Sequence, residues 1–224
     1  MGIGKAIQGQ KTFPRDKFIL EHCSKKSVLH VGCTDYPFFI ENSKSEYFLH
    51  KKVVDVSEKT VGIDISQAEI DTMKTLGYEV YQVDAQKMSE FFQNNLFDVV
   101  LLADVIEHIP NPGLVFQESV KLLKKDGKII VTVPNAFGII RFLKTFFRYE
   151  QVHPDHISYY SSGTLETLAK RFDLKIVEMS WYQFEVRDKR WIVYLSAFLE
   201  RIATVCFPWQ AEGCLAVMKQ DSQG

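Results

Sequence analysis

Five short runs of Val, Ile and Leu recur in the first 133 residues with little polar alternation: SVLHV (27–31), TVGIDI (60–65), EVYQV (79–83), FDVVLL (97–102) and KIIVTV (128–133). A strand with one face in water alternates. A strand that does not alternate is covered on both faces, as in a parallel sheet between helices. The segments between the runs carry helix punctuation. Ser66 with Glu69 forms a capping-box pattern, and the stripe through Ile70 and Met73 stops at Gly77. Asn111 caps a second helix with Pro112 in its first turn; Val115, Phe116, Val120 and Leu123 face inward, and Asp126-Gly127 ends it. Farther on, Ser162 caps a short helix, and DLKIVEMSWY (173–182) and GCLAVMKQ (213–220) read as two late strands. The prediction is an α/β fold: a doubly wound, mostly parallel seven-stranded sheet with an antiparallel edge strand. The mixed, charged segment 41–60 reads as an insertion in the first crossover.

Other classes fall away on composition. The 224 residues suit one domain, and 27 Lys+Arg against 28 Asp+Glu argue against a nucleic-acid surface over the whole molecule. Cys23, Cys33, Cys206 and Cys214 form no C-x-x-C pair, so reduced thiols and a cytoplasmic setting are expected. The start MGIGKAIQGQK reads neither as a signal peptide nor as a myristoylation motif, and no run is long enough to require a transmembrane segment.

Three acids follow three successive strands. Asp64, Asp84 and Asp104 stand twenty residues apart each time, one strand–helix unit, and Gly32 ends the first strand. Open parallel sheets bind ligands beyond the carboxyl ends of their strands, where these residues converge. Asp is also common at helix caps, which accounts for one such residue better than for three. A nicotinamide dinucleotide would need G-x-G-x-x-G after the first strand; GCTDYP lacks it and places Asp35 where phosphates would sit.

The segments VLHVGCTD (28–35), VGIDIS (61–66), VDAQ (83–86), FDVVLLADVIEHIPNPG (97–113) and LLKKDGKIIVTVPN (122–135) resemble the class I S-adenosylmethionine-dependent methyltransferases. HPDHISYYSSGTLETLAKRF (153–172) resembles the segment after the sheet in a small-molecule branch of that family. The resemblance spans roughly residues 15–182 and implies S-adenosylmethionine as cofactor. It implies a cofactor site of Gly32, Cys33, Thr34, Asp64, Ile65, Asp84, Ala85, Asp104 and Val105. Asp64 would accept both ribose hydroxyls, Asp84 the adenine amino group, and the Ala85 amide would donate to a ring nitrogen. Residues 103–105 would pass beside the methionine part. The family's G-x-G-x-G loop is reduced here to Gly32-Cys33-Thr34-Asp35-Tyr36, so Thr34 or Asp35 side chains would supply some contacts.

Methyl transfer is an in-line displacement that needs positioning, and a base where the nucleophile is a hydroxyl. His108, His156 and His153 are the candidate catalytic groups, with His156 matching the family position best. His153, beside Pro154, also reads as a solvated loop residue, and His108 as a packing residue at a helix end. Asp104, Glu107 and His108, with His156 near, offer a metal set, since similar methyltransferases bind a divalent ion through E-x-x-E-H. The first position here is Asp, and Asp104 has a rival role at the cofactor, so no metal is assigned. AFGIIRFLKTFFRY (136–149) places Phe137, Ile140, Phe142, Leu143, Phe146 and Phe147 opposite Arg141, Lys144 and Arg148. It reads as core packing with a dimer contact, a pocket for an apolar acceptor, or a helix on a membrane surface. These basic residues and Arg187 would receive an acidic acceptor group.

The expectation is therefore a single methyltransferase domain over 1–224, with a lid at 136–160 and an apolar helical insertion at 188–210. Its activity would be O-methylation of a small-molecule or glycan-type acceptor. Peripheral membrane contact and a homodimer are compatible with it. The alternatives are a binding or scaffold protein that has lost cofactor use, and an N- or C-methyltransferase.

Overall fold

The computed structural model describes residues 7, 11–35, 39, 45, 47–92, 96–183, 198 and 201–221. The chain runs α1 (Arg15–Cys23), β1 (Ser27–Val31), α2 (Leu49–Val56), β2 (Lys59–Asp64), α3 (Gln67–Thr75), β3 (Val80–Gln82), α4 (Met88–Phe91) and β4 (Phe97–Ala103). It continues through α5 (Pro112–Leu122), β5 (Leu123–Pro134), α6 (Ile139–Thr145), α7 (Ser162–Lys170), β6 (Leu174–Tyr182) and β7 (Gly213–Gln220). Short 3-10 turns cover Ala85–Lys87, Ile106–His108 and Pro208–Gln210.

The seven strands form one sheet in the order β3-β2-β1-β4-β5-β7-β6. The first five are parallel; β7 runs antiparallel to both β5 and β6, so the antiparallel pairing is confined to one side of the sheet. The period of two explains the buried runs. Leu29, Val31, Val100, Leu102, Ile129 and Val131 pack on one face against α5 and α7. Their neighbours Val28, Val99, Leu101 and Ile130 pack on the other face against α1 and α2. Both faces are therefore apolar, as the lack of alternation requires.

Two local readings change. Residues 49–56 are no insertion: they form a crossover helix that buries Leu49, His50 and Val53. The cap of α7 is Ser161 rather than Ser162; its Oγ accepts the Thr164 amide at 3.2 Å while Thr164 Oγ1 accepts the Ser161 amide at 2.8 Å. The segment 188–210 lies largely outside the described residues, which include a helical stretch at 201–206.

Beyond β5 the chain leaves and returns at one point. Asn135 is buried and donates to the Trp209 and Ala211 carbonyls at 2.9 and 2.8 Å, and the Ala136 amide donates to the Tyr160 carbonyl at 2.8 Å. The loop between these anchors carries α6, which buries none of its own residues. Core packing is therefore not what the apolar side chains of 136–149 do.

The β6–β7 pairing sets Gly213 opposite Tyr182. A Cβ on Gly213 would lie 2.1 Å from Tyr182 Cζ, so the ring occupies the space of the missing side chain. Gly213→Ala is expected to displace Tyr182 and destabilise the fold by about 1–3 kcal/mol, as overpacking does. Chemical denaturation measures this; a wild-type midpoint would show that the ring has room to move.

Candidate active site at the strand ends

Strand order reverses between β1 and β4, and in open α/β sheets the crevice forms at that point. The register brings the expected residues level. Val31 pairs with Ile63 and with Leu102, so Gly32, Asp64 and Ala103 stand side by side; Asp64 pairs with Gln82, two residues before Asp84. One rim therefore carries Asp84, Asp64, Gly32 and Asp104 in spatial order.

Gly32 is required twice over. Its φ is +70°, and a Cβ there would lie 2.7 Å from Val105 Cγ2. Its amide and that of Cys33 donate to the Ile63 carbonyl at 2.9 and 3.2 Å, which bends the loop over the end of β2. The loop then departs from a glycine loop in a definite way. Thr34 is fully buried; its Oγ1 donates to Asp64 Oδ2 at 2.8 Å and its amide to the same oxygen at 3.3 Å. The Ser66 amide donates to Asp64 Oδ1 at 3.0 Å. Thr34 thus holds the acid in place. Cys33 points into the core, where burial and Asp64 push its thiol up, so only its backbone faces the rim. Tyr36 lies outside the described residues.

Farther along the rim, Ile65 is 73% exposed, an apolar surface directly after the acid. Asp84 Oδ1 caps its own 3-10 turn by accepting the Gln86 amide at 2.8 Å, and Ala85 beneath it is buried.

Asp104 sits at φ +53°, a conformation that Asp tolerates better than most residues. Its carboxylate is fully engaged. Oδ2 meets Arg15 Nη2 at 2.7 Å, and Oδ1 accepts from Thr132 Oγ1 at 3.0 Å and Tyr182 OH at 2.8 Å. Burial and Asp104 push the Tyr182 phenol up, so it stays a neutral donor. Arg15 and Tyr182 carry no sequence signal; they reach Asp104 across 89 and 78 residues of chain.

On the wall beside Asp104, Glu107 is 0% exposed and neither carboxylate oxygen has a hydrogen-bond partner among the described residues. Burial, then Asp104, raises its acid well above the usual carboxylate range. The structure also joins His108, His153 and His156. Ring centroids lie 4.5 Å apart for His108–His156, 5.1 Å for His153–His156 and 5.7 Å for His108–His153. Burial lowers His156 to about 4, helped by His108, His153 and Arg141. Burial likewise lowers His108. The set expected from spacing, Asp104 with Glu107, His108 and His156, is divided: Asp104 belongs to Arg15, and His153 joins the imidazoles. Nearby, Arg141 stacks over Tyr159 at 5.5 Å, while Phe142, Phe146 and Phe147 of the 136–160 segment are exposed.

A sequence family described as "Methyltransferase domain" matches residues 13–179. The ubiquinone biosynthesis O-methyltransferase of Neisseria meningitidis is 26% identical over 113 residues, which are 50% of this chain and 45% of that protein. The mitochondrial protein of the same description from Candida albicans is 24% identical over 207 residues, 88% of this chain and 59% of that one. The chain thus spans about half the length of these relatives. Among solved structures, a SAM-dependent methyltransferase from Archaeoglobus fulgidus superposes with a TM-score of 0.58 at 16% identity, covering 91% of this chain and 90% of that one. The N-methyltransferase NodS from Bradyrhizobium japonicum, in complex with S-adenosyl-L-homocysteine, gives a TM-score of 0.54 at 14% identity over 93% and 86%.

Proposed function

We propose, from the premise that this chain belongs to the methyltransferase-domain family and is an S-adenosylmethionine-dependent methyltransferase, that it methylates a hydroxyl oxygen on a small molecule with an apolar portion. The cofactor lies along the rim. Asp64 accepts the ribose hydroxyls, Ile65 flanks the adenine, and Asp84 with the Ala85 amide reads its edge. Gly32, Cys33 and Thr34 contribute backbone. Asp104 and Val105 lie beside the methionine part.

The observation that carries the oxygen assignment is the cluster of three imidazoles on the wall next to Asp104, with His156 lowered to about 4 by burial. An oxygen nucleophile must shed a proton as it attacks, and neutral imidazoles can hold the hydroxyl and accept that proton. An amine reaching the same wall would need less help. The apolar portion is supported by the exposed phenylalanines of the 136–160 segment, which suit a hydrophobic acceptor better than a glycan. The relatives' description as O-methyltransferases of ubiquinone biosynthesis points the same way. The segment 136–160 is proposed as the acceptor lid of this one domain. No helix among the described residues is long and apolar enough to cross a membrane.

The test is a methyl-transfer assay over hydroxylated acceptors, read as the mass gain of one methyl group. His156→Ala should reduce turnover on the order of 100-fold or more, the usual weight of acid–base assistance, with little change in cofactor affinity. Equal losses in turnover and cofactor affinity would remove the cluster from the acceptor side.

A further inference from the structure

The turn at 153–156 is built to place two imidazoles together. Pro154 suits the second position of a tight turn, and the His156 amide closes it on the His153 carbonyl at 3.0 Å. The next two amides, of Ile157 and Ser158, both donate to the Glu107 carbonyl at 2.9 and 3.3 Å. That clamps the turn against the residue preceding His108. Backbone hydrogen bonds, not side-chain chance, therefore bring the three rings together. One ring nitrogen from each histidine lies within 4.8 Å of the other two.

The surroundings resemble those of ligating histidines. His108 Nδ1 lies 3.2 Å from the Asp155 carbonyl, and His153 Nδ1 lies 3.3 Å from the Asp155 amide and 3.8 Å from its carboxylate. The Asp155 carbonyl can accept from the His108 Nδ1–H and leave Nε2 of that ring for a further ligand, while His153 Nδ1 accepts from the Asp155 amide. Such an outer carbonyl or carboxylate is what fixes the tautomer and orientation of metal-bound imidazole. His156 supplies the remaining signal: its Nδ1 is buried and has no hydrogen-bond partner among the described residues. Three converging imidazoles with no shared acid and an orphaned nitrogen lack only a central acceptor of lone pairs.

We infer that His108, His153 and His156 form a three-imidazole site for a first-row divalent transition-metal ion of the zinc type. Zinc–imidazole bonds of about 2.0–2.1 Å in a tetrahedron place the nitrogens roughly 3.4 Å apart. Small side-chain rotations on these part-exposed rings close the remaining gap. The all-nitrogen donor set selects zinc, cobalt or nickel over magnesium, which wants oxygen. The carboxylates that would recruit magnesium are taken up elsewhere: Asp104 by Arg15, Thr132 and Tyr182, and Glu107 by full burial. Three protein ligands leave an open fourth position, the arrangement of a working rather than a structural zinc site. Its use rests on the acceptor-side reading above, although ion binding itself does not. With an ion held there, the imidazoles would act on an acceptor hydroxyl through the ion, whose charge would lower the hydroxyl's pKa.

The test titrates the chelator-stripped full chain with Zn²⁺, Co²⁺ and Mg²⁺ by calorimetry, with visible absorption reporting the Co²⁺ geometry. One equivalent of Zn²⁺ or Co²⁺ should bind, Co²⁺ with a tetrahedral spectrum, and Mg²⁺ should not compete at equal concentration. His153→Ala and His156→Ala should each weaken Zn²⁺ by more than the roughly 10- to 100-fold that loss of an outer partner costs. Both should keep the near-ultraviolet dichroism of the native fold. Cys206→Ser, which removes the exposed free thiol, should bind Zn²⁺ as the parent does. Absence of Zn²⁺ binding, equal binding by both histidine variants, or effective competition by Mg²⁺ overturns the site. S-adenosylmethionine binding measured on the same samples separates this outcome from failure of the methyltransferase reading, because the rim acids are untouched.

Discussion

Asp64→Ala is expected to eliminate S-adenosylmethionine binding at concentrations that saturate the parent chain. The carboxylate sits level with Gly32 at the centre of the rim, and its two oxygens already accept from Thr34 and Ser66. A carboxylate has about four acceptor sites, so two ribose hydroxyls fit once the long Thr34 amide contact at 3.3 Å gives way. Each hydrogen bond to an ionised group contributes about 1.5–3 kcal/mol. Losing two costs on the order of 100-fold or more in affinity. The same substitution strips the buried Thr34 hydroxyl of its acceptor, which should lower stability by about 1–3 kcal/mol. Asp64→Asn separates the two effects, since it keeps the shape and an acceptor oxygen while losing the charge. Calorimetry on the three proteins decides. An alanine variant that binds within a few-fold of the parent would mean that the cofactor lies elsewhere.

That prediction uses a residue legible in the sequence, and the reason is geometric. Parallel strands of similar length, buried on both faces, leave their carboxyl ends on one rim. An acid that follows a Val/Ile run therefore has a known address before any fold is seen. Asp64, Asp84 and Asp104 were all found this way. What each does there was less legible. Asp104 looked like a bare cofactor ligand, whereas Arg15, Thr132 and Tyr182 take up its carboxylate. These contacts join parts of the chain that no local pattern connects, since α1 precedes the first strand and Tyr182 ends the sixth. The Thr34 side chain was expected to contact the cofactor; its hydroxyl instead points to Asp64, a direction that residue identity alone does not give.

Helix α2 was hidden for a different reason. Its exposed face is lined with Lys51 and Asp55, and its buried stripe is only Leu49, His50 and Val53, so charge outweighed periodicity over eight residues. Likewise His153, beside a proline, read as a solvated loop residue. The pairing of His153 with His156 depends on turn closure, and their meeting with His108 depends on the Glu107 carbonyl catching the next two amides. Short motifs announce which residues share a loop, but backbone hydrogen bonds decide which of them share a point in space.

The buried histidine pair under β1 yields the remaining large effect, a loss of stability in mild acid. His30 and His50 are 2% and 1% exposed, stack at 5.3 Å, and place their Nδ1 atoms 3.1 Å apart. One nitrogen must donate and the other accept, so both rings cannot be protonated together, and burial disfavours a charge on either. Burial pushes His50 down to about 4, and burial, His50 and Arg15 hold His30 well below its ordinary range. Phe48 and Tyr78 pack on His50 and offer no anion to a protonated ring. In the unfolded chain both rings titrate near 6.5, so the unfolded state takes up protons that the native state refuses. The contribution of the pair is thus complete above about pH 7 and is lost progressively as pH falls through 6.5. At about 1.4 kcal/mol per unit, His50 alone accounts for roughly 3 kcal/mol by the time pH reaches its folded-state value, a large share of a typical 5–15 kcal/mol. Denaturation midpoints taken from about pH 7.5 to 4.5 should therefore fall steeply below 6.5. His50→Leu should be less stable at neutral pH, because it leaves His30 Nδ1 without its partner, yet have a shallower slope in acid. If that variant loses stability with the same slope as the parent, the protons responsible bind elsewhere.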